Sequence, residues 1–414
     1  MIRIVDSSQV GKLLARKAAR FADAEETVRP ILQAVQKGGD RALLEYARKL
    51  DGFDRKSPLV SPAELKAAES QLSPAFRAAV ETASKNIRAF AKLQLPVAKS
   101  ATISPGLTVG QIVRPLDVVA AYIPAGRYPL PSTLMMTAIP AQVAGVPTVC
   151  VTSPRPVTEI LGAASLLGLS NVFLLGGAHA IAAFAYGTKT IPRADRIVGP
   201  GNIYVAAAKK LLAGEVGIDF IAGPTEILMI ANEGEPSWIA ADMLAQAEHD
   251  TDASAILLTT SKLFAQAVSK EIERQLESLP TNKVARKAID KNSAIILVRS
   301  TEEAIEISNR FAPEHLSIPE ASLLPAVRHA GSVFIGSTSP EAAGDYASGP
   351  NHVLPTSGAA RLRGGLSTAD YVKVISTQQV SPLALKRIAP AVTTLARAEG
   401  LEAHARSVEV RLNG

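Results

Sequence analysis

The sequence has one cysteine, few aromatic residues and no long apolar run. The single cysteine among its 414 residues, Cys150, excludes an intrachain disulfide and a metal site built from several thiolates. Cys150 lies in the apolar segment 147–152, which predicts a buried strand residue. A catalytic thiol needs a helix N-terminus or a basic neighbour, and the segment offers neither, so a structural cysteine is the favoured interpretation.

Aromatic residues make up only 4% of the chain, and its Lys and Arg residues are scattered. A nucleic-acid groove needs basic stripes or stacking platforms, so this composition argues against one. No apolar segment approaches the roughly 18 residues of a membrane span. Residues 1–6 carry charges and lack the apolar core of a signal peptide, so we expect a reducing, cytoplasmic location.

The chain is rich in apolar residues and too long for one core. Hydrophobic residues make up 47% of it and charged residues 20%, a balance typical of folded domains rather than disordered chains. Its length predicts two or more domains. The net charge of +6 suits an anionic ligand such as a dinucleotide.

Residues 25–95 are predicted to form amphipathic helices. From residue 105 onward, short apolar strands alternate with helices, which predicts a parallel, doubly wound α/β sheet. Two strand–glycine–helix turns occur here, Gly176-Gly177 and Gly199-Pro-Gly-Asn202. Each would offer backbone N–H groups to a phosphate. Neither is a G-x-G-x-x-G fingerprint, so ordinary turn glycines remain an equal alternative.

Two residue pairs and one single residue are candidates for metal binding or acid–base catalysis. Gln246 and His249 lie three residues apart near the end of a predicted helix, so both side chains face one side and are possible zinc ligands. The alternative is that His249 only contacts the last carbonyl groups of the helix. Glu314 and His315 form a possible acid–base pair, or an exposed dipeptide. Asp345 is a possible metal carboxylate, or part of an Asx-turn.

Several longer motifs occur in one order along the chain. They are Tyr122-Ile-Pro124, Gly199-Pro-Gly-Asn202, Ala222-Gly-Pro-Thr-Glu226, Gln246-x-x-His249, Ala312-Pro-Glu-His-Leu316, Gly344-Asp-Tyr346, Asn351-His-Val-Leu-Pro-Thr356 and Glu399-Gly-Leu-Glu-Ala-His404. Together they resemble the histidinol dehydrogenase family, NAD-dependent enzymes of the last two steps of histidine synthesis. The resemblance covers nearly the whole chain from about residue 105 and, more loosely, the N-terminal helices.

The resemblance implies a site for one zinc ion and one substrate. The implied zinc ligands are Gln246, His249, Asp345 and, from a partner subunit, His404. The implied substrate contacts are Thr225, Gln246, His249, His315, Asp345, Glu399 and His404. The implied NAD contacts are Tyr122, His179 and Asn202.

The implied reaction is a four-electron oxidation of an alcohol to an acid through an aldehyde, with two NAD molecules used in turn. His315 is expected to accept the alcohol proton, and Glu314 is expected to activate water for attack on the aldehyde. No thioester is needed, in agreement with a lone cysteine in a strand.

The resemblance also implies an architecture of two incomplete Rossmann-like αβα domains in a homodimer with an exchanged tail. The domains are expected as an N-terminal helical arm (1–22), a first α/β domain (23–115 with 233–365), a second, inserted α/β domain on the NAD side (116–232) and a C-terminal tail (366–414) exchanged with the partner. A strand or extended arm is expected after residue 404.

The chain departs from the family pattern at three places. His179 stands where the family has a glutamine that contacts NAD, Thr225 stands where serine is usual, and Tyr122-Ile-Pro-Ala-Gly126 replaces a commoner Pro-Gly-Gly. Side branches of the superfamily oxidise other small alcohols, including sulfonated diols, so such a substrate remains an alternative. A zinc hydrolase that does not use NAD and an inactive binding protein are the further alternatives.

Overall fold

The computed structural model describes residues 1–11, 21–125, 128–221 and 223–412. Of the helical arm predicted for residues 1–22, residues 12–20 lie outside the described residues. The motifs at 122–126 and 222–226 are described except for residues 126 and 222.

The strands are short and mostly apolar. In chain order the described strands are β1 (Arg3–Asp6), β2 (Lys99–Ser104), β3 (Leu107–Pro115), β4 (Val118–Tyr122), β5 (Thr148–Thr152), β6 (Asn171–Phe173), β7 (Arg196–Val198), β8 (Gly217–Ile218), β9 (Glu226–Ile230), β10 (Ser254–Thr259), β11 (Ala294–Leu297), β12 (His315–Ile318), β13 (Ser332–Ile335) and β14 (Val372–Val380).

The helices separate most of these strands. In chain order the described α-helices of four residues or more are α1 (Phe21–Tyr46), α2 (Pro62–Gln71), α3 (Pro74–Gln94), α4 (Pro131–Ala144), α5 (Thr158–Leu166), α6 (Gly177–Tyr186), α7 (Ile203–Leu212), α8 (Pro236–Ala247), α9 (Lys262–Ser278), α10 (Asn282–Asn292), α11 (Thr301–Phe311), α12 (Glu341–Tyr346), α13 (Pro382–Ala398) and α14 (Glu402–Glu409). Among the described residues, no helix combines the length and apolarity needed to cross a membrane.

One parallel sheet has six strands in the order β1-β11-β10-β9-β12-β13. Alternate residues of β9 face opposite sides of it, as strand geometry requires. Ile227 and Met229 join an apolar cluster with α8, α9 and α10, whereas Leu228 and Ile230 join another with α11. Both faces are therefore buried, which explains the continuous apolar runs of these strands.

A second parallel sheet has five strands in the order β6-β5-β4-β7-β8. Helix α1 packs against α6 and α7, α2 packs against α5, and α3 packs against α4. Ser61 caps the start of α2 with a capping box, in which its side chain and that of Glu64 each accept a hydrogen bond from the other residue's backbone N–H. The predicted α/β class with parallel sheets is confirmed; the predicted domain boundaries stay a prediction.

The chain divides into two compact units, and both parallel sheets lie in the first, residues 1–94 and 117–371. The second unit consists of residues 95–116 and 372–414. Within it β3 pairs antiparallel with β2 and β14, and α13 packs against α14. The strand or extended arm expected after residue 404 is wrong, because helix α14 continues to Glu409 with its Arg406 and Glu402 paired one turn apart.

Candidate active site

Glu314 and His315 lie at the start of β12 and are both buried, so the exposed-dipeptide alternative does not apply. Helix α11 ends at Phe311, the next residue, Ala312, takes a left-handed conformation (φ 52°), and the chain then turns through Pro313 into β12. This turn directs both side chains inward at the amino end of the strand.

The Glu314 carboxylate is held by two donors from the segment that begins β9. Its Oε2 accepts hydrogen bonds from the Thr225 hydroxyl at 2.6 Å and from the Glu226 N–H at 2.9 Å. Burial raises the pKa of Glu314, and this effect outweighs the opposing effects of His315 and the two donors. A carboxyl that is buried, hydrogen-bonded and easily protonated suits general acid–base work.

The two ring nitrogens of His315 have different surroundings. Nδ1 lies 3.2 Å from the carbonyl oxygen of Glu226 and 3.5 Å from Glu341 Oε1. Nε2 lies 3.8 Å from Asp345 Oδ1 and has no hydrogen-bond partner among the described residues. With the Nδ1 proton held by the carbonyl, Nε2 is the nitrogen that gains or loses a proton. Burial disfavours the imidazolium, but Glu341 and Glu314 outweigh burial and raise the pKa of His315 to about 10.

Glu341, on α12, was not among the predicted site residues. Its buried carboxylate lies 2.5 and 3.1 Å from the side-chain nitrogen of Gln246, in the amide orientation that leaves the amide oxygen 2.7 Å from Thr225 Oγ1. Burial raises the pKa of Glu341 to about 8. The i, i+4 spacing of Glu341 and Asp345 is the sequence signal that would have placed it on the same helix face.

Asp345 and His249 complete the described cluster. Oδ2 of Asp345 lies 3.9 Å from His249 Nε2, and Asp345 can offer an oxygen within 4.8 Å of ligand atoms of His315 and Glu341. Burial opposes ionisation of Asp345, but His315, His352 and His249 outweigh it and lower its pKa. His352, also absent from the predicted site, donates from Nδ1 to the Asp345 carbonyl oxygen at 2.8 Å.

This cluster lies at the amino edge of the six-stranded sheet. Thr225 precedes β9 and Glu314 precedes β12, whereas ligands of open parallel sheets usually bind at the carboxyl edge. The end of α8 brings Gln246 and His249 back to the same amino edge because this helix runs antiparallel to the strand before it. The predicted residues Thr225, Gln246, His249, Glu314, His315 and Asp345 are thus brought together.

The carboxyl edge of the five-stranded sheet lies next to this cluster. After β4, the Tyr128 hydroxyl donates to the Glu248 carbonyl at 3.3 Å, and Thr133 Oγ1 lies 3.1 Å from His352 Nε2. Strand order reverses between β4 and β7, which makes their carboxyl ends a topological switch point, the usual ligand-binding place in such sheets. Tyr122 ends β4 and Gly199 follows β7, and a Cβ on Gly199 would lie 2.3 Å from the Tyr122 carbonyl oxygen.

The three residues predicted to contact a cofactor lie near this switch point, but their polar atoms are engaged within the chain. The buried Tyr122 hydroxyl accepts from Gly177 N–H at 3.1 Å, and burial raises its pKa to about 12. The Asn202 side chain caps α7 by accepting from the N–H groups of Tyr204 and Val205. His179 is fully buried and lies 3.0 Å from an Asp51 oxygen.

Some of the backbone N–H groups of the two glycine turns are also already bonded. Gly176 donates to Asp51 Oδ2 at 2.9 Å, and Gly199 donates to Asp219 Oδ2 at 2.7 Å. A carboxylate at each turn would repel a phosphate placed on the same N–H group. These two N–H groups are therefore not phosphate ligands in this conformation.

Glu399 and His404 belong to the second unit, where both are exposed at the end of α13 and on α14. Cys150 is buried in β5, and burial raises the pKa of its thiol to about 12, so it remains a protonated structural residue at neutral pH.

Comparisons with known proteins point to one family over nearly the whole chain. A family model described as histidinol dehydrogenase matches residues 14–412. A histidinol dehydrogenase of Syntrophotalea carbinolica is 46% identical over 413 residues, covering 97% of this chain and 96% of the relative, and one of Geobacter sulfurreducens is 44% identical, covering 98% and 97%. The crystal structure of histidinol dehydrogenase from Elizabethkingia anophelis matches with a TM-score of 0.96 at 36% identity, covering 100% of this chain and 98% of that one.

Proposed function

The chain belongs to the histidinol dehydrogenase family, and from that membership and the geometry of the site we propose that it oxidises L-histidinol to L-histidine through L-histidinaldehyde, with NAD as hydride acceptor. The observation that carries the proposal is the buried set of Thr225, Glu314 and His315 beside Asp345. A different small alcohol, such as a sulfonated diol, is not favoured, because relatives at 44–46% identity over nearly their whole lengths bear the histidinol dehydrogenase name.

The donor set fits a zinc ion. Imidazole nitrogen from His249 and oxygen from Asp345 and Gln246 are accepted zinc ligands, and His249 and Asp345 already face each other at 3.9 Å. An amide oxygen has two lone pairs, so the Gln246 oxygen that lies 2.7 Å from Thr225 Oγ1 keeps one of them for a cation. A bound zinc would supply positive charge and orient the substrate rather than ionise a water.

A fourth ligand is proposed to come from a second copy of the chain. We assign this role to His404 of the partner subunit, with Glu399 of the partner subunit as a substrate contact, in a homodimer with a shared active site. Support comes from the exposure of both residues in the described chain. Exposed apolar side chains of the same helical segment, Leu395 and Leu401, offer surface for such an association.

The switch point between β4 and β7 fits NAD. Tyr122 and Asn202 lie there, and the exposed Ile203 and Tyr204 at the start of α7 offer apolar surface. Bound NAD would supply the hydride acceptor. This crevice lies beside the acid–base cluster through the contacts of Tyr128 and Thr133, so one cleft would bring cofactor and substrate together.

The proton transfers follow from the two buried groups. His315 Nε2 accepts the alcohol proton while the adjacent carbon gives up a hydride. A cation held by Asp345 would offset part of the negative charge that Glu341, Glu314 and Asp345 place around His315, and the ring would then be able to accept a proton near neutrality. Glu314 then removes a proton from the water that adds to the aldehyde, and the resulting hydrate releases a second hydride. Thr225 and the Glu226 N–H hold the Glu314 carboxylate in place.

The test is NADH formation by the purified, zinc-loaded protein with L-histidinol or with dihydroxypropanesulfonate. We expect two NADH per histidinol and no NADH from the sulfonate. NADH from the sulfonate alone would contradict the proposed substrate. Hydrolysis without NAD, with no NAD-induced rise in melting temperature, would instead support a zinc hydrolase. Because the assigned reaction is biosynthetic and the thiol is free, a cytoplasmic location is part of the proposal.

A further inference from the structure

His179 is held by two side chains from the N-terminal helical segment. Its ring stacks on Tyr46 with centroids 6.4 Å apart and an angle of 23° between the planes. Its Nε2 lies 3.0 Å from Asp51 Oδ2, and the residue has no exposed surface. Nδ1 has no hydrogen-bond partner within the described ranges and lies over Gly177. The side chain therefore faces the protein interior rather than the crevice.

Asp51 makes a second contact with the same carboxylate oxygen. Oδ2 accepts the Gly176 N–H at 2.9 Å, so one atom holds both the turn after β6 and the ring of His179. Asp51 ends a π-helical turn, residues 47–51, and Gly52 then reverses the chain in a left-handed conformation (φ 67°). The position of the carboxylate is thus fixed by the backbone on both sides.

The turn is fixed from its other side by the end of β4. Gly177 N–H donates to the Tyr122 hydroxyl at 3.1 Å. Gly176 packs so closely on Pro154 that a Cβ would lie 2.6 Å from its ring. Asp51, the 176–177 backbone and Tyr122 therefore form one connected set that ends at the switch point between β4 and β7.

We propose that Asp51 and His179 are positioning residues for the NAD crevice: they fix the 176–177 turn and, through it, the Tyr122 ring, and His179 acts through Asp51 rather than by touching the cofactor. The inference rests on the proposed function, because it assigns the crevice to NAD. It also accounts for a histidine at position 179, since imidazole Nε2–H can donate to a buried carboxylate while its ring fills the space beside Tyr46.

The test compares D51A, D51N and H179A with the exposed control D54A in the full-length protein. Loss of the carboxylate in D51A removes two hydrogen bonds, and we expect about a tenfold higher KM for NAD with the kcat and the KM for histidinol within about twofold of wild type. D51N keeps an acceptor oxygen for the Gly176 N–H, so its KM for NAD should rise by about threefold or less. H179A should raise the KM for NAD about as much as D51A does. The double variant D51A/H179A should raise it by less than the two single effects combined, because both residues act through one contact.

NAD binding is also measured without turnover, from the rise in melting temperature as NAD is added up to saturation. We expect D51A and H179A to need higher NAD concentrations than wild type for the same rise, and D54A to match wild type. The inference is overturned if D51A and H179A bind NAD as tightly as wild type. It is also overturned if D51A changes the KM for histidinol and kcat as much as it changes the KM for NAD, because that pattern indicates general damage. If D51A does not fold, H179A and D51N decide by the same criteria. A wild-type protein that neither binds nor reduces NAD contradicts the proposed function itself, which separates the two failures.

Discussion

The Thr225 hydroxyl donates a 2.6 Å hydrogen bond to Oε2 of Glu314, across 89 residues of sequence. This contact joins the residue before β9 to the residue before β12, neighbouring strands of the six-stranded sheet. It places the carboxylate beside His315, with 3.7 Å between Oε2 and Nδ1. The acid–base pair is therefore oriented by a residue that stands outside its own motif.

Replacement of Thr225 by valine should slow the enzyme. Valine keeps the shape but lacks the hydroxyl, so Glu314 loses one of its two hydrogen-bond donors and becomes less well oriented. We expect kcat for histidinol oxidation to fall by about 10- to 100-fold, as for loss of a hydrogen bond to a charged group. Steady-state NADH formation measures the change. T225S, which keeps the hydroxyl, is the control and should stay within about threefold of wild type; equal activity of both variants would show that the hydroxyl is dispensable.

Replacement of Glu314 by glutamine should separate the two oxidation steps. The amide cannot take a proton from water, so hydration of the aldehyde should slow by about 100-fold or more, within the range for loss of general base catalysis. The alcohol step depends on His315 and should be less affected. Single-turnover assays with histidinol and with the aldehyde measure the two steps separately. H315N should impair the alcohol step more than E314Q does, and the reverse ranking would contradict the assigned roles.

Removal of the Glu341 carboxylate should weaken zinc binding. The amide nitrogen of Gln246 then loses the acceptor that orients it, so the amide oxygen is no longer held in place for the metal. We expect a 10- to 100-fold loss of zinc affinity in E341A, of the order seen when groups that support a metal ligand are lost. Competition with a chromophoric zinc chelator measures the affinity. The control is E235A, an exposed carboxylate at the opposite end of α8, and an E341A protein with wild-type zinc affinity would disprove this role.

Local patterns in the sequence predict the elements and some of the site. Apolar runs between glycine turns specify the strands, and the i, i+3 spacing of Gln246 and His249 indicates the end of α8, although the helix stops at Ala247 and His249 lies two residues beyond it. Contacts between distant segments have no such signal. The Asp51–His179 contact spans 128 residues, and β1 pairs with β11 from the far end of the first unit. The amino-edge location of the site likewise depends on strand order, which local periodicity does not determine.

Asp242 should make stability depend on pH. Burial raises the pKa of this half-buried carboxyl from 3.8 to about 6. The folded state therefore binds its proton more tightly than the unfolded state, so the carboxyl costs little below about pH 4 and lowers stability as the pH rises to about 6 and above. D242N lacks this charge and should be more stable than wild type by roughly 1–3 kcal/mol at pH 7.5, with little difference at pH 4. Urea unfolding at both pH values tests this, and exposed Asp54→Asn should show no such divergence.

Loss of the buried ion pair between Lys209 and Asp219, near the proposed NAD crevice, should strongly lower the free energy of unfolding. Their side chains are 3% and 0% exposed and are in direct contact, and Lys209 Nζ also donates to the Gly199 carbonyl at 3.0 Å. K209M would leave the Asp219 charge buried without its cation, which typically costs about 3–5 kcal/mol. Urea denaturation gives the free energy of unfolding. The control is R193A, which breaks an exposed pair with Glu215 at the opposite, amino edge of the same sheet and should cost far less because solvent screens that pair. Equal losses in the two variants would mean that burial does not set the strength of the pair, whereas a large loss confined to K209M would show that the turn after β7 depends on a charge pair sealed from water.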